Sequence, residues 1–182
     1  MPVVNFHHGN ALIANYGFSD IASNVYKLFA FSTLHSSLPS HLIDKVLYPS
    51  IECDQFLLVL EKGMPIGFCS WALLNDVESA RYMSDPYSLN ADAWHSGQYL
   101  WIIDFVVNPG YMAANQLFFL AKQLLARFPF AFSLRVKFGS SEARVMIIRG
   151  PAANKEWKIV AEQSIRDFFL IAKYVVPRND DM

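Results

Sequence analysis

A strongly apolar run lies between Gln98 and Gly110, where the sequence reads QYLWIIDFVVNPG. Branched and aromatic residues fill this run and a Pro-Gly pair ends it, which is typical of a β-strand. Strict alternation divides the side chains into two sets: Trp101, Ile103, Phe105 and Val107 on one face, and Ile102, Asp104 and Val106 on the other. Because both faces are apolar, we expect a central strand that is covered on both sides.

Two helices are predicted upstream of this strand. Ser19 is a suitable N-cap, and apolar residues then recur at helical spacing as far as residues 31–34. A second, shorter helix begins near Pro39 and ends at Pro49.

A hairpin and a less regular segment lie between these helices and the central strand. The apolar runs 55–60 and 65–74 are joined by EKGMP, which is typical of a β-hairpin with a glycine-containing loop. Residues 75–94 include YMSDPYSLNADAW and show no clear period. We expect irregular structure with some helix there.

Downstream of the central strand, the pattern predicts a helix, a hairpin and a last helix. Apolar residues recur every three to four positions over 111–128, and Pro129 ends this amphipathic helix. Strands 132–138 and 143–149 are joined by GSSE. The last helix follows Pro151, with one apolar side made of Trp157, Val160, Ala161, Ile165, Phe168, Phe169 and Ala172.

This order of elements predicts one α+β domain, a mixed α/β sandwich, over residues 19–176. Residues 1–18 show no clear period and are expected to form a loosely packed arm, and residues 177–182 a C-terminal tail. The sequence contains no internal repeat and no linker that would divide the domain.

Composition narrows the classes of partner. The chain of 182 residues is 53% hydrophobic and 17% charged, with a net charge of −1. No basic surplus favours a nucleic-acid partner. The apolar excess predicts surface that is covered by something else, either a second copy in a homodimer or a lipid-like ligand.

The N-terminal sequence and the two cysteines show no pattern typical of a secretory signal or of a metal site. MPVVNFHHGN lacks the pattern of a secretory signal, so we expect a cytoplasmic protein. The charge-free run 105–121 contains a Pro-Gly pair and is not expected to span a membrane. Cys53 and Cys69 form no CxxC motif and are expected to be buried hydrophobes rather than metal ligands.

Asp104 is the unusual residue of the central strand. A carboxylate removed from water costs several kcal/mol unless a partner compensates. His35, in FSTLHSSLPS at the end of the first helix, is the best candidate partner. Taken singly, each residue has an ordinary alternative: His35 an exposed loop histidine, and Asp104 a carboxylate that turns outward or caps a helix.

At these residues the chain resembles the RTX toxin-activating lysine acyltransferases, also called the hemolysin-activating family. The resemblance rests on four blocks: FSTLH around His35, GFCSWALL from Gly67, LNADAWHSG from Leu89, and WIIDFVVNPG from Trp101. The sequence departs from the family in about a dozen extra N-terminal residues and in the Asn108-Pro109 turn.

The resemblance implies a fold, a reaction and a set of site residues. The fold would be GNAT-like, with a mostly antiparallel sheet flanked by helices. The donor would be acyl carrier protein, carrying the acyl chain as a phosphopantetheine thioester, and the acceptor internal lysines of an RTX protoxin. The family's essential histidine and aspartate match His35 and Asp104, with Ser32 and Arg135 as supporting positions. Trp71 and Trp94 fall within family blocks, where core packing is the default and acyl-chain lining the alternative.

The residue chemistry agrees with this assignment. A lysine amine with a pKa near ~10.4 is almost entirely protonated at neutral pH and is a poor nucleophile until it loses a proton. A histidine can accept that proton or can itself attack the thioester, and an aspartate can fix its tautomer. A thioester is already activated, so no metal is required.

Two other functions stay open at this point. A CoA-dependent GNAT N-acetyltransferase would hold pyrophosphate on a glycine-rich turn entering a helix, whereas NPGYMAAN at 108–115 has one glycine and no basic residue. A non-catalytic chaperone or binding module for a secreted toxin would use the apolar surface, but it has no need of a carboxylate within an apolar strand.

Overall fold

Seven strands form one sheet through the part of the chain that the computed structural model describes: residues 4–8, 17–109, 117, 119, 121–123, 126–136, 143–149 and 158–164. The elements are β1 (Val4–His8), α1 (Phe18–Phe29), α2 (Ser40–Glu52), β2 (Phe56–Glu61), β3 (Met64–Leu74), α3 (Asp76–Ser84), β4 (Tyr99–Val107), β5 (Phe130–Val136), β6 (Ala143–Arg149) and β7 (Lys158–Ser164). Short 3-10 helices lie at His35–Ser37 and Ala91–His95.

The strands lie in the sheet in the order in which they occur in the chain. All neighbours are antiparallel except β4 and β5, which pair in parallel from Leu100↔Ala131 to Ile102↔Ser133. The predicted mostly antiparallel sheet is therefore confirmed, as are both hairpins, β2–β3 and β5–β6. Parallel neighbours require a crossover connection, and the described residues 117, 119 and 121–123 of the predicted helix 111–128 are helical. We call them the crossover helix.

Helix α1 covers one face of the sheet because its apolar residues repeat at helical spacing. Ile21, Val25 and Leu28 are buried together with side chains from α2, β2 and β3. The Asp20 carboxylate accepts a hydrogen bond from the Gly17 N–H at the first turn, where the helix dipole favours a negative charge. The predicted helix is confirmed, but it spans Phe18–Phe29 with Gly17 as its N-cap, so Ser19 lies in the first turn and the helix ends before residues 31–34.

The crossover helix covers the opposite face. Leu117 and Ala121 pack in a cluster with side chains of β2 and β3 that includes Leu57 and Cys69. A Cβ at Gly67 would lie 3.3 Å from a methyl group of Leu117, so the helix and the sheet are close together at this point. Ile102 and Val107 of central strand β4 pack against the same cluster, so β4 has packed side chains on both faces, while its Phe105 is 42% exposed.

A β-bulge interrupts β4 next to its carboxylate. Ser70 of β3 pairs with Asp104, and the next residue, Trp71, pairs with Ile102. Ile103 is therefore an extra residue on β4. A bulge of this kind places two residues opposite one and breaks the alternation of side chains.

The bulge determines the face of the sheet on which Asp104 lies. The prediction from strict alternation, which placed Asp104 on the same face as Ile102, is wrong. Trp101 and Val106 belong to clusters that contain alternate residues sharing one face of β3: Phe68, Ala72 and Leu74. Ile102 packs on the other face, with the crossover helix. Asp104 and Val106 thus share the face of Trp101 and α1, not the face of Ile102.

Three predicted elements need correction. The last helix was predicted to include Trp157–Ile165, but Lys158–Ser164 is strand β7, which pairs antiparallel with β6 and satisfies the hydrogen-bonding groups of its edge. The rest of that predicted helix lies outside the described residues. The arm 1–18 contains strand β1, paired with β2. Pro49 does not end α2, which continues to Glu52 and buries Ile51.

The segment 75–94 is more regular than predicted. It contains α3, capped by the Asn75 side chain, which accepts a hydrogen bond from Glu78 N–H at 2.9 Å. None of the described helices is both long and apolar enough to cross a membrane.

Candidate active site

The end of α1 positions His35. After Phe29 the chain turns, and the Ser32 N–H bonds back to the Phe29 carbonyl at 3.0 Å. His35 then opens the short 3-10 helix and is only 7% exposed. Its imidazole stacks on the Phe29 ring, with centroids 4.0 Å apart and planes at 20°. Helix packing and ring stacking therefore hold the imidazole against the sheet.

Asp104 meets this imidazole from the centre of the sheet. His35 Nε2 lies 2.9 Å from Asp104 Oδ1, and the carboxylate is 8% exposed. The predicted contact between the two residues is confirmed. The imidazole is the partner that a carboxylate buried in an apolar strand requires.

Two serines extend this contact into a chain of four side chains. Ser32 Oγ lies 2.8 Å from His35 Nδ1 and also accepts from the His35 backbone N–H at 3.4 Å. At the other end, Ser70 Oγ donates to Asp104 Oδ2 at 3.1 Å. We call Ser32, His35, Asp104 and Ser70 the hydrogen-bond chain.

The direction of these hydrogen bonds follows from the carboxylate. An ionised carboxylate can only accept, so His35 Nε2 carries the proton and donates it to Asp104. In the neutral ring, His35 Nδ1 then carries the lone pair and accepts from the Ser32 hydroxyl. Nδ1 is therefore the ring nitrogen that can take up a proton, and Ser32 is the side chain that lies beside it.

Burial keeps the neighbouring acids neutral. Removal from water, followed by the negative charge of Asp104, raises the pKa of the Cys69 thiol and of the Tyr82 phenol. Burial and nearby acidic groups also raise the pKa of the Cys53 thiol. Neither cysteine is a thiolate at neutral pH, so neither can serve as the nucleophile of a thioester reaction in that form.

The structure does not bring the other predicted residues into the hydrogen-bond chain. Trp94 is fully buried in the core cluster that contains Trp101. Trp71 packs on the face of the crossover helix, opposite to Asp104. Arg135 is exposed on β5, opposite Arg144 of β6.

Sequence reasoning did not place Ser70 among the site residues, because no G-x-S-x-G motif surrounds it. A serine within a strand has no periodic signal of its own. The available clue was that Ser70 is the one hydroxyl in the apolar run PIGFCSWALL. Its register opposite Asp104 appears only when β3 and β4 are paired.

A known family matches the chain over the residues that form this site. A model of the RTX toxin acyltransferase family matches residues 15–149, which include the whole hydrogen-bond chain. The chain belongs to the RTX toxin acyltransferase family. Strands β1 and β7 lie outside the matched region. By its family the protein is an acyltransferase, as the sequence predicts.

Individual RTX toxin acyltransferases are similar over most of the chain. The RTX-II toxin-activating lysine-acyltransferase ApxIIC of Actinobacillus pleuropneumoniae is 30% identical over 152 residues, which are 82% of this chain and 90% of the relative. The protein-lysine myristoyltransferase RtxC of Kingella kingae is 33% identical over 130 residues, 70% of this chain and 74% of the relative.

A solved structure supports the fold. The loading GNATL domain of CurA from Lyngbya majuscula superposes with a TM-score of 0.51 at 8% identity. The match covers 74% of this chain and 65% of that chain, slightly under two thirds of its length. The GNAT-like fold predicted for this family member is therefore confirmed.

Within the described residues, no group of three or more His, Cys, Asp or Glu side chains could hold a metal ion.

Proposed function

We propose that this protein transfers a fatty acyl chain from acyl carrier protein to the side-chain amine of lysines in an RTX protoxin. The observation that carries the proposal is the buried contact of 2.9 Å between His35 Nε2 and Asp104 Oδ1 in a member of this family. Relatives named as lysine acyltransferases and as a protein-lysine myristoyltransferase support the lysine acceptor and the fatty acyl group.

His35 acts as the general base in this proposal. The lysine amine must lose a proton before it attacks, and Nδ1 of His35 holds the lone pair that accepts it. The resulting imidazolium is stabilised by the adjacent Asp104 carboxylate, which keeps its own charge. The amine nitrogen then forms a C–N bond with the thioester carbonyl carbon and the C–S bond breaks. The leaving thiolate takes up the second proton, which the nitrogen loses as the amide forms, and His35 releases the first proton to solvent.

Ser32 occupies the space in front of Nδ1. Its hydroxyl lies 2.8 Å from that nitrogen, so it can pass a proton from the amine to the ring while it takes one up itself. This arrangement supports a direct attack by lysine that is assisted by His35, and it gives Ser32 a role in proton transfer.

Acyl carrier protein is the donor that fits the sequence best. A CoA donor needs a cradle for its pyrophosphate, and the segment 108–115 offers one glycine and no basic residue. A pantetheine arm delivered on a carrier protein does not place pyrophosphate there. The remainder of this segment after Pro109 lies outside the described residues.

The test is to incubate the protein with a candidate RTX protoxin and with either acyl-acyl carrier protein or the matching acyl-CoA. Mass spectrometry of the digested protoxin should find acylated lysine with the carrier-protein donor and much less with acyl-CoA. Equal or faster transfer from acyl-CoA would contradict the donor assignment. If no acylated lysine is found with either donor, the proposed function itself is contradicted.

A further inference from the structure

The geometry points to Ser70 as a positioning residue of the acyl-transfer site, one that holds the Asp104 carboxylate so that Oδ1 faces His35. This role rests on the proposed function, because the orientation matters to catalysis only if the His35–Asp104 pair carries the reaction. Ser70 does not contact the ring, and it acts through Asp104.

The register of the sheet fixes Ser70 and Asp104 relative to each other. They are directly paired residues of the neighbouring strands β3 and β4, at the bulge made by Ile103. Both strands are central, with a neighbour on each side, so neither backbone can move independently. Ser70 is completely buried, and its Oγ donates to Asp104 Oδ2 at 3.1 Å.

The two oxygens of the carboxylate have different partners. Oδ1 accepts from the imidazole at 2.9 Å and Oδ2 accepts from Ser70. The torsion that rotates a carboxylate has a broad energy well, so partners rather than covalent geometry must set its angle. Without the Ser70 hydroxyl, Asp104 Oδ2 would lose this hydrogen bond while it stays buried. The carboxylate could then turn, so that either of its oxygens could accept from His35 Nε2.

A nucleophilic role for Ser70 does not fit its contacts. Its hydroxyl proton is directed at a carboxylate, whereas the base nitrogen His35 Nδ1 faces Ser32. Ser70 is also fully buried, and a residue that attacks a substrate must be reachable by it. These contacts favour positioning over covalent catalysis.

The test compares Ser70→Ala with a matched control, Ser50→Ala. Ser50 is equally buried, and its hydroxyl donates to the Leu47 carbonyl within α2, away from the site. Ser70→Ala should lower kcat about tenfold to a hundredfold with little change in KM, the size expected for a hydrogen bond to a charged group. Ser50→Ala should keep the wild-type kcat, and Ser70→Thr, which retains the hydroxyl, should restore much of the loss.

A second readout is independent of acyl transfer. The ¹⁵N signals of the His35 ring, recorded at mildly alkaline pH, should show the proton on Nε2 in the wild type and a mixture of both tautomers in Ser70→Ala. If Ser70→Ala does not fold, Ser70→Cys, which keeps a weaker donor at the same place, should show intermediate values of both quantities.

The proposal requires both changes, and the absence of either overturns it. An unchanged kcat would mean that the orientation does not matter to the reaction. A lower kcat with an unchanged tautomer would mean that Ser70 acts by some route other than His35. A wild type that acylates no protoxin would overturn the proposed function and, with it, the catalytic part of this role, while the ¹⁵N signals would still show separately whether Ser70 orients the pair.

Discussion

The two nitrogens of the His35 ring have different partners, and this difference defines what the residue can do. Asp104 lies at Nε2 and Ser32 at Nδ1. Because the carboxylate can only accept, it leaves the lone pair on Nδ1. The Phe29 ring, stacked at 4.0 Å, limits rotation of the imidazole. The side chain is therefore oriented for its task before a substrate arrives.

Ser32 provides a prediction at the level of a single residue. Ser32→Ala removes the hydroxyl beside Nδ1 and the acceptor of the His35 backbone N–H. We expect the rate of acyl transfer to fall about tenfold, in keeping with the loss of one or two hydrogen bonds. The control is Ser37→Ala, an exposed serine on the same turn that bonds to the Leu34 carbonyl. Equal rates for the two variants in a steady-state assay would contradict a role for Ser32.

The sequence predicted two members of the hydrogen-bond chain, His35 and Asp104, more readily than Ser70. Asp104 is conspicuous because a carboxylate is rare within an apolar strand, and His35 is conspicuous within its sequence block. Spacing alone does not select His35 among the five histidines, so the predicted contact depended on the resemblance of FSTLH and WIIDFVVNPG to a known family. Ser70 was not predictable, because its role depends on which residue of β4 lies opposite it, and that register is set by a bulge with no distinct sequence signal.

Among the elements, periodicity predicted the parts of the fold whose pattern is local. Helix α1 and both hairpins have apolar spacing that matches one type of structure. Strand β7 does not, since KIVAEQS can form either a helix or a strand, and pairing with the edge of β6 decides between them. Strand β1 likewise exists because β2 offers an edge to it. Such long-range pairing lies beyond any local pattern.

The connection between β3 and β4 supplies a prediction for a single glycine. The Gly97 N–H bonds to the Leu73 carbonyl at 2.9 Å, and a Cβ at this position would collide with the backbone of Leu74 and Asn75. Gly97→Ala should destabilise the protein by at least about 2 kcal/mol, since neither backbone can shift without breaking the sheet.

Thermal or urea unfolding measures this cost. The matched variant is Gly17→Ala, whose Cβ would have only an ordinary contact of 3.7 Å with Asp20. It should lie within about 1 kcal/mol of the wild type. If Gly97→Ala were as stable as Gly17→Ala, the close approach of the two segments would be refuted.

At the scale of the whole molecule, the sheet and its flanking helices bury two acids, Cys69 and Tyr82, that ionise less readily in the folded protein than in the unfolded chain. Cys69 lies on the side of the crossover helix and Tyr82 on the side of α3. Burial is the first cause of the raised pKa of each group, and the charge of Asp104 is the second. The folded protein keeps these protons at pH values where the unfolded chain releases them.

Stability should therefore decline at alkaline pH. An exposed thiol ionises near pH ~8.5 and an exposed phenol near pH ~10. Above each of these pH values, ionisation stabilises the unfolded state relative to the folded state, by about 1.4 kcal/mol per pH unit for each group. The folded protein keeps these protons and gains no such stabilisation. Tyr82→Phe keeps the ring that packs edge-on against Trp101 but removes one such group. Urea unfolding from pH 8 to 11 should show a shallower decline in this variant; parallel curves would contradict the assigned burial.

The most direct test of the account is the single-turnover rate of lysine acylation in His35→Ala, compared with His41→Ala, which alters an exposed histidine of α2. Loss of the general base should slow transfer about 10²- to 10⁴-fold in His35→Ala, while circular dichroism shows a folded protein and His41→Ala keeps the wild-type rate. A folded His35→Ala protein that acylates lysine as fast as the wild type would contradict the central claim that this imidazole, held by Asp104, carries the reaction.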